Sequence, residues 1–248
     1  MPEVRVDPLT GWRSIVGDPE AGLSPDALQP PAQTPADLFT ALPARGVHEV
    51  LAATPDVAGT LERWRERLRF HADAGAACVH LAADAALDAR LHALDFVPAA
   101  IARERERFGA YAMRTMGQNL LGDLVQEEVR RRDRLVAVDE EAVVRAPYAS
   151  RAPYQLLLAP RRPRARFEDD GPTGAALLRD VLGRLGRALG APPALDLWVR
   201  TAPRGADAFC WRIDVVPRLA EPPGLELGAG VHVCAVEPEH AAARLRDA

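Results

Sequence analysis

The apolar residues of this chain change period again and again, and that alternation restricts the fold it can adopt. Short runs such as LDLWVR and AFCWRIDVVPRL place apolar and polar side chains on opposite sides, as half-buried strands do. Single stretches of helical period separate groups of such runs. In residues 60–72, Leu61, Trp64 and Leu68 form one stripe with arginines and glutamates opposite. In GAALLRDVLGRLGRALG, Leu178, Leu182, Leu185 and Leu189 recur at the same spacing, and a glycine follows as a stop signal.

Read in order, VRVDPLTGWRSIV is a hairpin turning at Pro-Leu-Thr-Gly, and GVHEVLAAT is a strand. ACVHLA and ARLHALDFV are further strands, and Pro98 opens a helix that IARERERFGAYAM continues. The second series begins with a helix, NLLGDLVQEEVRRRD, whose Leu120, Leu124 and Val125 point inward. The strands RLVAVD, AVVRAP and YQLLLAP follow, then the Leu-rich helix, two more strands and a closing helix in PEHAAARLRD. Residues 17–45, rich in Pro, Gly, Ala and Asp, read as a surface connection. Strands joined by short connections rather than βαβ units imply an α+β fold. The order of elements suggests that it is built twice, as halves 1–97 and 98–248.

Composition limits the functions. The 248 residues suffice for one large domain or two small ones. Every one of the 31 basic residues is arginine, yet the formal net charge is −4, which argues against a nucleic-acid partner. Cys78, Cys210 and Cys234 are far apart and odd in number, as in a reducing compartment without disulfides. No apolar run is long enough to span a bilayer and no signal pattern opens the chain, so a cytoplasmic protein without a membrane partner is expected.

Several segments taken together resemble the galactose-1-phosphate uridylyltransferase family. VRVDPLTGWRSIV is similar to its D-P-x-T-G-x-W hairpin and GVHEVLAATPDVAGTL to its G-x-H-E-V…S-P-x-H…T-L segment. RLHALDFVPAAIARERERF, LLGDLVQEE, APYASRAPYQLLLAPRR, RFEDD, WVRTAPRGADAFCWRIDVVPRL and GLELGAGVHVCAVEPEHAAARLR follow in the family's order. The resemblance runs nearly end to end, apart from a deletion within residues 17–45. It implies two histidine-triad-like halves, each an antiparallel sheet with packed helices, and a homodimer.

The resemblance also marks what has changed. The family's nucleophile is the second histidine of H-P-H-x-Q. Here that stretch is ALDAR: Ala86 stands for the first histidine, Asp88 for the nucleophile and Arg90 for the glutamine. The family's zinc ligands include a histidine at the position of Val57 and another at Ala86, and its N-terminal cysteine pair is absent. At the family's second metal site Glu104 keeps the glutamate, whereas Arg200, Cys210 and Arg212 replace histidines. Asn119 and Gly122 stand where some relatives have C-x-x-C. The sequence therefore implies a protein without bound zinc or iron and without any other cofactor.

An aspartate at 88 is a poor nucleophile toward phosphate, since it brings its own negative charge and would give a labile acyl phosphate; an ion pair with an arginine is its simpler role. If residues 86–94 form a strand, Asp88, Arg90 and His92 share one face. Cys210, Arg212 and Asp214 share another, and Arg200 lies with Trp198 and Asp196. The resemblance makes these faces a cleft with Arg90, Arg200 and Arg212 set against Asp88, Glu104 and Asp214. Arg200 and Arg212 then neutralise Glu104, and Arg90 takes a phosphate-containing small molecule. Glu226 matches a family glutamate near the sugar. His48 reads as structural, and His80 and His92 as neighbours of the lost motif. Cys210 reads as a small buried hydrophobe, and PRRPRARFEDD as a solvated charged loop. Three readings remain open: a pseudoenzyme or binding module for a nucleotide sugar or sugar phosphate, a repurposed transferase, and a partner-binding protein.

Overall fold

The alternating runs become strands, most of whose apolar residues turn to one side, while β7 and β8 are buried on both. The structure is a computed structural model; residues 3–17, 47–220 and 224–248 are described, without the side chains of residues 47 and 48. The expected connection at 17–45 lies, beyond its first residue, outside them. In order, the elements are β1 (Glu3–Val6), β2 (Arg13–Val16), β3 (Val47–Leu51), α1 (Val57–Asp73), β4 (Cys78–Ala83), β5 (Ala89–Leu94), α2 (Ala99–Arg114) and α3 (Leu120–Arg131). Then come β6 (Leu135–Val138), β7 (Ala142–Arg145), β8 (Leu156–Pro160), α4 (Ala175–Ala188), β9 (Leu195–Arg200), β10 (Arg212–Pro217), α5 (Gly224–Ala229), β11 (Val231–Cys234) and α6 (Pro238–Arg246). The protein is α+β, as its periodicity implies.

Eight strands form one antiparallel sheet in the order β3-β5-β4-β9-β10-β8-β7-β6. The N-terminal hairpin β1–β2 makes a second sheet with β11, which lies parallel to β2. The boundary expected near residue 97 falls between β5 and α2, but the large sheet crosses it through the β4–β9 pairing.

One face of the large sheet carries the main core. Leu61, Trp64 and Leu68 of α1 and Leu178 and Leu185 of α4 are fully enclosed there, with Leu81, Leu197 and Ile213 from the strands. Truncating a side chain such as Trp64 to alanine costs about 3–5 kcal/mol in sites of this kind. The second face is covered in part by α2 and α3, which bury Phe108, Leu121 and Val125 against Val143, Leu157 and Ala159. Leu120 and Val125 point inward as read from the sequence; Leu124 is only half-buried, and Leu121 takes the deeper place. Pro98 immediately precedes α2 rather than occupying its first turn.

Two expectations are corrected. Arg65 lies on the buried side of α1, not with the solvated arginines. Its Nε donates to Phe167 O at 3.3 Å, its Nη2 donates to Thr173 O at 3.0 Å, and its guanidinium covers the Phe167 ring at 4.3 Å. At the RFEDD end of the charged loop Phe167 and Glu168 are buried, whereas Asp169 is exposed. Glu168 accepts from Thr201 Oγ1 at 2.6 Å, and Asp170 accepts from Trp211 Nε1 at 2.8 Å. Buried donors with fixed acceptors explain why so charged a segment packs.

Candidate functional site

Strand alternation sends Leu81, Val199 and Ile213 to the main core and leaves their neighbours on the second face. The register arranges these neighbours in rows. Arg90 lies opposite Ala82, Ala82 opposite Trp198, and Trp198 opposite Asp214. In the next row His92 lies opposite His80 and Arg200 opposite Arg212; Leu81 pairs with Val199, so His80 stands beside Arg200. Over β5, β4 and β9 this face is mostly covered but still partly accessible at Arg90, His92, His80, Ala82, Trp198 and Arg200. It is a polar shelf beside the covered part of the sheet.

The shelf ends at a buried charge cluster. Ile101, Glu104 and Phe108 share the inner side of α2, which aims Glu104 at β9 and β10. Its carboxylate accepts from Arg212 Nη1 at 3.0 Å and lies 3.4 Å from Arg200 Nε, while Arg212 Nε donates to Asp214 at 3.0 Å. Burial works against the Arg212 charge, but Asp214 and Glu104 outweigh it and hold the guanidinium above its ordinary pKa. For Arg200 burial wins over Glu104, and its pKa is drawn down. Two cations and two carboxylates balance, so this cluster carries no net charge. Two guanidinium groups thus close in on the retained glutamate, and they cannot coordinate a metal. Among the residues whose side chains are described, no three His, Cys, Asp or Glu are grouped to hold one.

Asp88 falls differently from expectation, and Cys210 is the buried hydrophobe it reads as. β5 begins at Ala89, so Asp88 stands just before the strand on an exposed turn. Its carboxylate accepts from the backbone amide of Ala53 at 2.9 Å, and no arginine pairs with it among the described residues. Cys210 is wholly enclosed in the smaller core, with its thiol pushed up to about 12 by burial, so it does not reach a ligand. Burial likewise raises the thiols of Cys78 to about 11 and Cys234 to about 12, and all three cysteines are free. His80 is held down to about 4 by burial, then by the Arg200 charge and His92, so its imidazole is neutral at physiological pH.

Two features carry no signal in the sequence. Arg151 lies over the Trp198 ring at 5.0 Å and has no carboxylate partner among the described residues. The two are 47 positions apart, and only the fold brings them together. Glu226 Oε1 lies 2.8 Å from Nδ1 of His232, a buried residue whose ring packs on Trp12 at 5.1 Å. The turn before β11 makes this pair: Gly230 has φ of +66°, and a Cβ there would stand 3.1 Å from the Trp12 ring. Glu226 is thus bound to a histidine at the edge of the small sheet.

No protein-family model matches the chain, and no curated protein matches it. Solved structures do. All of this chain superposes on 99% of a GalT-like protein from Arabidopsis thaliana, with a TM-score of 0.79 and 18% identity. It covers 99% of an ADP-glucose phosphorylase from Arabidopsis thaliana with bound ADP-glucose, with a TM-score of 0.80 and 18% identity. A uridylyltransferase structure matches over 98% of its length, with a TM-score of 0.73 and 21% identity. At such identities the likeness is one of fold, and this chain has the fold of the GalT-like and uridylyltransferase structures.

Proposed function

We propose that the chain binds a phosphate-bearing small molecule, a nucleotide sugar or a sugar phosphate, on the shelf over β5, β4 and β9, and does not pass a nucleotidyl group to residue 88. The observation that carries this reading is the Arg151 guanidinium, stacked on Trp198 and lacking a carboxylate partner among the described residues, at the rim of a shelf whose own buried charges cancel. A cation held in one plane by an aromatic ring is suited to a phosphate or carboxylate. Arg90, in the same row as Trp198, adds a second guanidinium to the floor.

The loss of transfer at position 88 follows from chemistry. A carboxylate can attack phosphorus, but Asp88 brings its own negative charge toward the phosphate, would give a labile acyl phosphate, and already accepts from Ala53 N. The pseudoenzyme reading is further supported by the ion-paired cluster at Glu104, which fills a position where the resembled family places a metal.

A melting screen against nucleotides, nucleotide sugars including UDP-glucose and ADP-glucose, and sugar phosphates tests the reading. A true ligand raises Tm with concentration by mass action. The rise should shrink in Arg151→Ala. If no member of the panel moves Tm, the phosphate-ligand reading fails.

A further inference from the structure

The small sheet turns one row of side chains toward the rest of the protein. Its register sets Arg5 of β1 opposite Ser14 of β2, and Ser14 opposite His232 of β11. All three side chains are buried, whereas Val4 and Val233, one position away on their strands, are exposed. The row closes on the segment that leads to Arg151. Arg5 Nη1 donates to Tyr148 O at 3.1 Å and Ser14 Oγ donates to Ala149 O at 3.1 Å, so neighbouring strands hold consecutive carbonyls. His232 comes next in the row and is near enough to feel the Arg151 charge.

The same segment is held from its other end. Gln155 Oε1 accepts from the Arg151 amide at 2.7 Å, and Ser150 Oγ donates to Pro147 O at 2.9 Å. Tyr154 is enclosed at φ of +59°, a left-handed conformation that a bulky residue keeps only where its surroundings fix it. Its hydroxyl accepts from Arg244 Nη1 of α6 at 3.2 Å. Residues 148–155 belong to no helix or strand, so side-chain bonds do here what a ladder does elsewhere. Arg151 is what this framework delivers to the shelf, with its guanidinium over the Trp198 ring at 5.0 Å.

We propose that the small sheet positions Arg151 for its ligand through the Ser14–Ala149 bond, with Gln155 fixing the same residue from the other side. This rests on the shelf being a phosphate-ligand site, as proposed above, and makes Ser14 and Gln155 its positioning residues. A guanidinium on a loose loop must be ordered by each ligand at a cost in affinity, whereas one fixed beforehand avoids that cost. Coupling between two places in a protein is reciprocal, so a ligand at Arg151 also steadies the small sheet.

Two measurements on the full chain test this. UDP-glucose, ADP-glucose and galactose 1-phosphate are titrated singly into the parent protein, Ser14→Ala, Arg151→Ala and the double variant. Ser14→Ala should weaken whichever of them binds by roughly 5-fold or more, the lower end of ordinary coupling between sites. In the Arg151→Ala background the same change should have no further effect, an outcome that general loosening of the fold would not give. Gln155→Met provides a second variant should Ser14→Ala fail to fold, as judged by its circular dichroism melt. Hydrogen exchange, read without any ligand, should quicken over residues 148–155 in Ser14→Ala; in the parent, bound ligand should slow it over β1, β2 and β11. Equal affinity in the parent and folded Ser14→Ala, the same loss with and without Arg151, or unchanged exchange over residues 148–155 would overturn the proposal and leave the shelf reading standing. If none of the three, nor any other nucleotide, nucleotide sugar or sugar phosphate, binds the parent, the shelf reading falls and the role of Ser14 falls with it.

Discussion

Glu104 Oε2 accepts a hydrogen bond from Arg212 Nη1 at 3.0 Å inside the protein, and both groups are almost wholly withdrawn from water. The helix supplies the carboxylate and the sheet supplies the cation, so the contact ties α2 to β10. Removing one member of a buried pair leaves the other uncompensated, which typically costs about 3–5 kcal/mol. Arg212→Ala should lower the denaturation free energy by that order, because it strands Asp214 and leaves Glu104 with Arg200 alone. Arg90→Ala, on the partly accessible shelf, should cost less and should chiefly weaken phosphate-ligand binding. Urea melts and ligand titrations of the two variants check this; the reverse assignment of effects would mean that the cluster, not the shelf, meets the ligand.

The turn before β5 gives a second expectation. UMP exchange between UDP-glucose and galactose 1-phosphate should be undetectable, and Asp88→Ala should not alter that result. The same variant loses the bond to Ala53 N and should be destabilised by about 0.5–1.5 kcal/mol. Turnover that persists in Asp88→Ala and vanishes in His80→Ala would instead place the chemistry on β4.

At the rim, Arg151→Ala and Trp198→Ala should both reduce affinity for whichever nucleotide sugar or sugar phosphate raises Tm. Arg151→Lys should rescue less than half of the loss, because a lysine ammonium cannot lie flat on the ring and offer a planar fork. Isothermal titration at two salt concentrations checks it. Equal affinity in Arg151→Ala and the parent would remove Arg151 from the site.

Glu239 links three elements, accepting from Arg5 of β1 at 2.9 Å and from Arg134, just ahead of β6, at 2.9 Å. Burial alone would raise its pKa, but Arg5 and Arg134 outweigh it and hold it below the ordinary 4.5. A carboxylate depressed in the fold stabilises above the unfolded value, and the contribution is lost as pH falls below about 4.5 through the folded value. Stability should therefore drop on acidification in that window, and Glu239→Gln should flatten the drop while costing about 1–3 kcal/mol at neutral pH. Denaturation at a series of pH values measures both.

Much of the architecture was legible because period and spacing are local. Leu61, Trp64 and Leu68 mark α1 without reference to any other element, and the Glu104–arginine contact followed from the residues that had changed together. What the sequence hid is non-local. Arg65 carries the same charge as its solvated neighbours, and only the approach of Phe167 and Thr173 makes its burial tolerable. Arg151 meets Trp198 across the sheet, and Glu226 meets His232 around a glycine turn. Cys210 shares the strand parity of Arg212, but α2 and α3 close over it. Alternation gives the face of a residue, not what covers that face.

The β4–β9 pairing has a consequence for how this protein can be divided. His80 and Ala82 come from one side of that seam, and Arg200 and Trp198 from the other. A fragment ending after β5 would bare one long edge of unpaired backbone, and a fragment starting at α2 would bare the matching edge on β9. Each would carry half of the polar shelf and a strand seeking a partner. The β4–β9 pairing joins residues before and after position 97 in one sheet, and the ligand proposed above would rest across that seam.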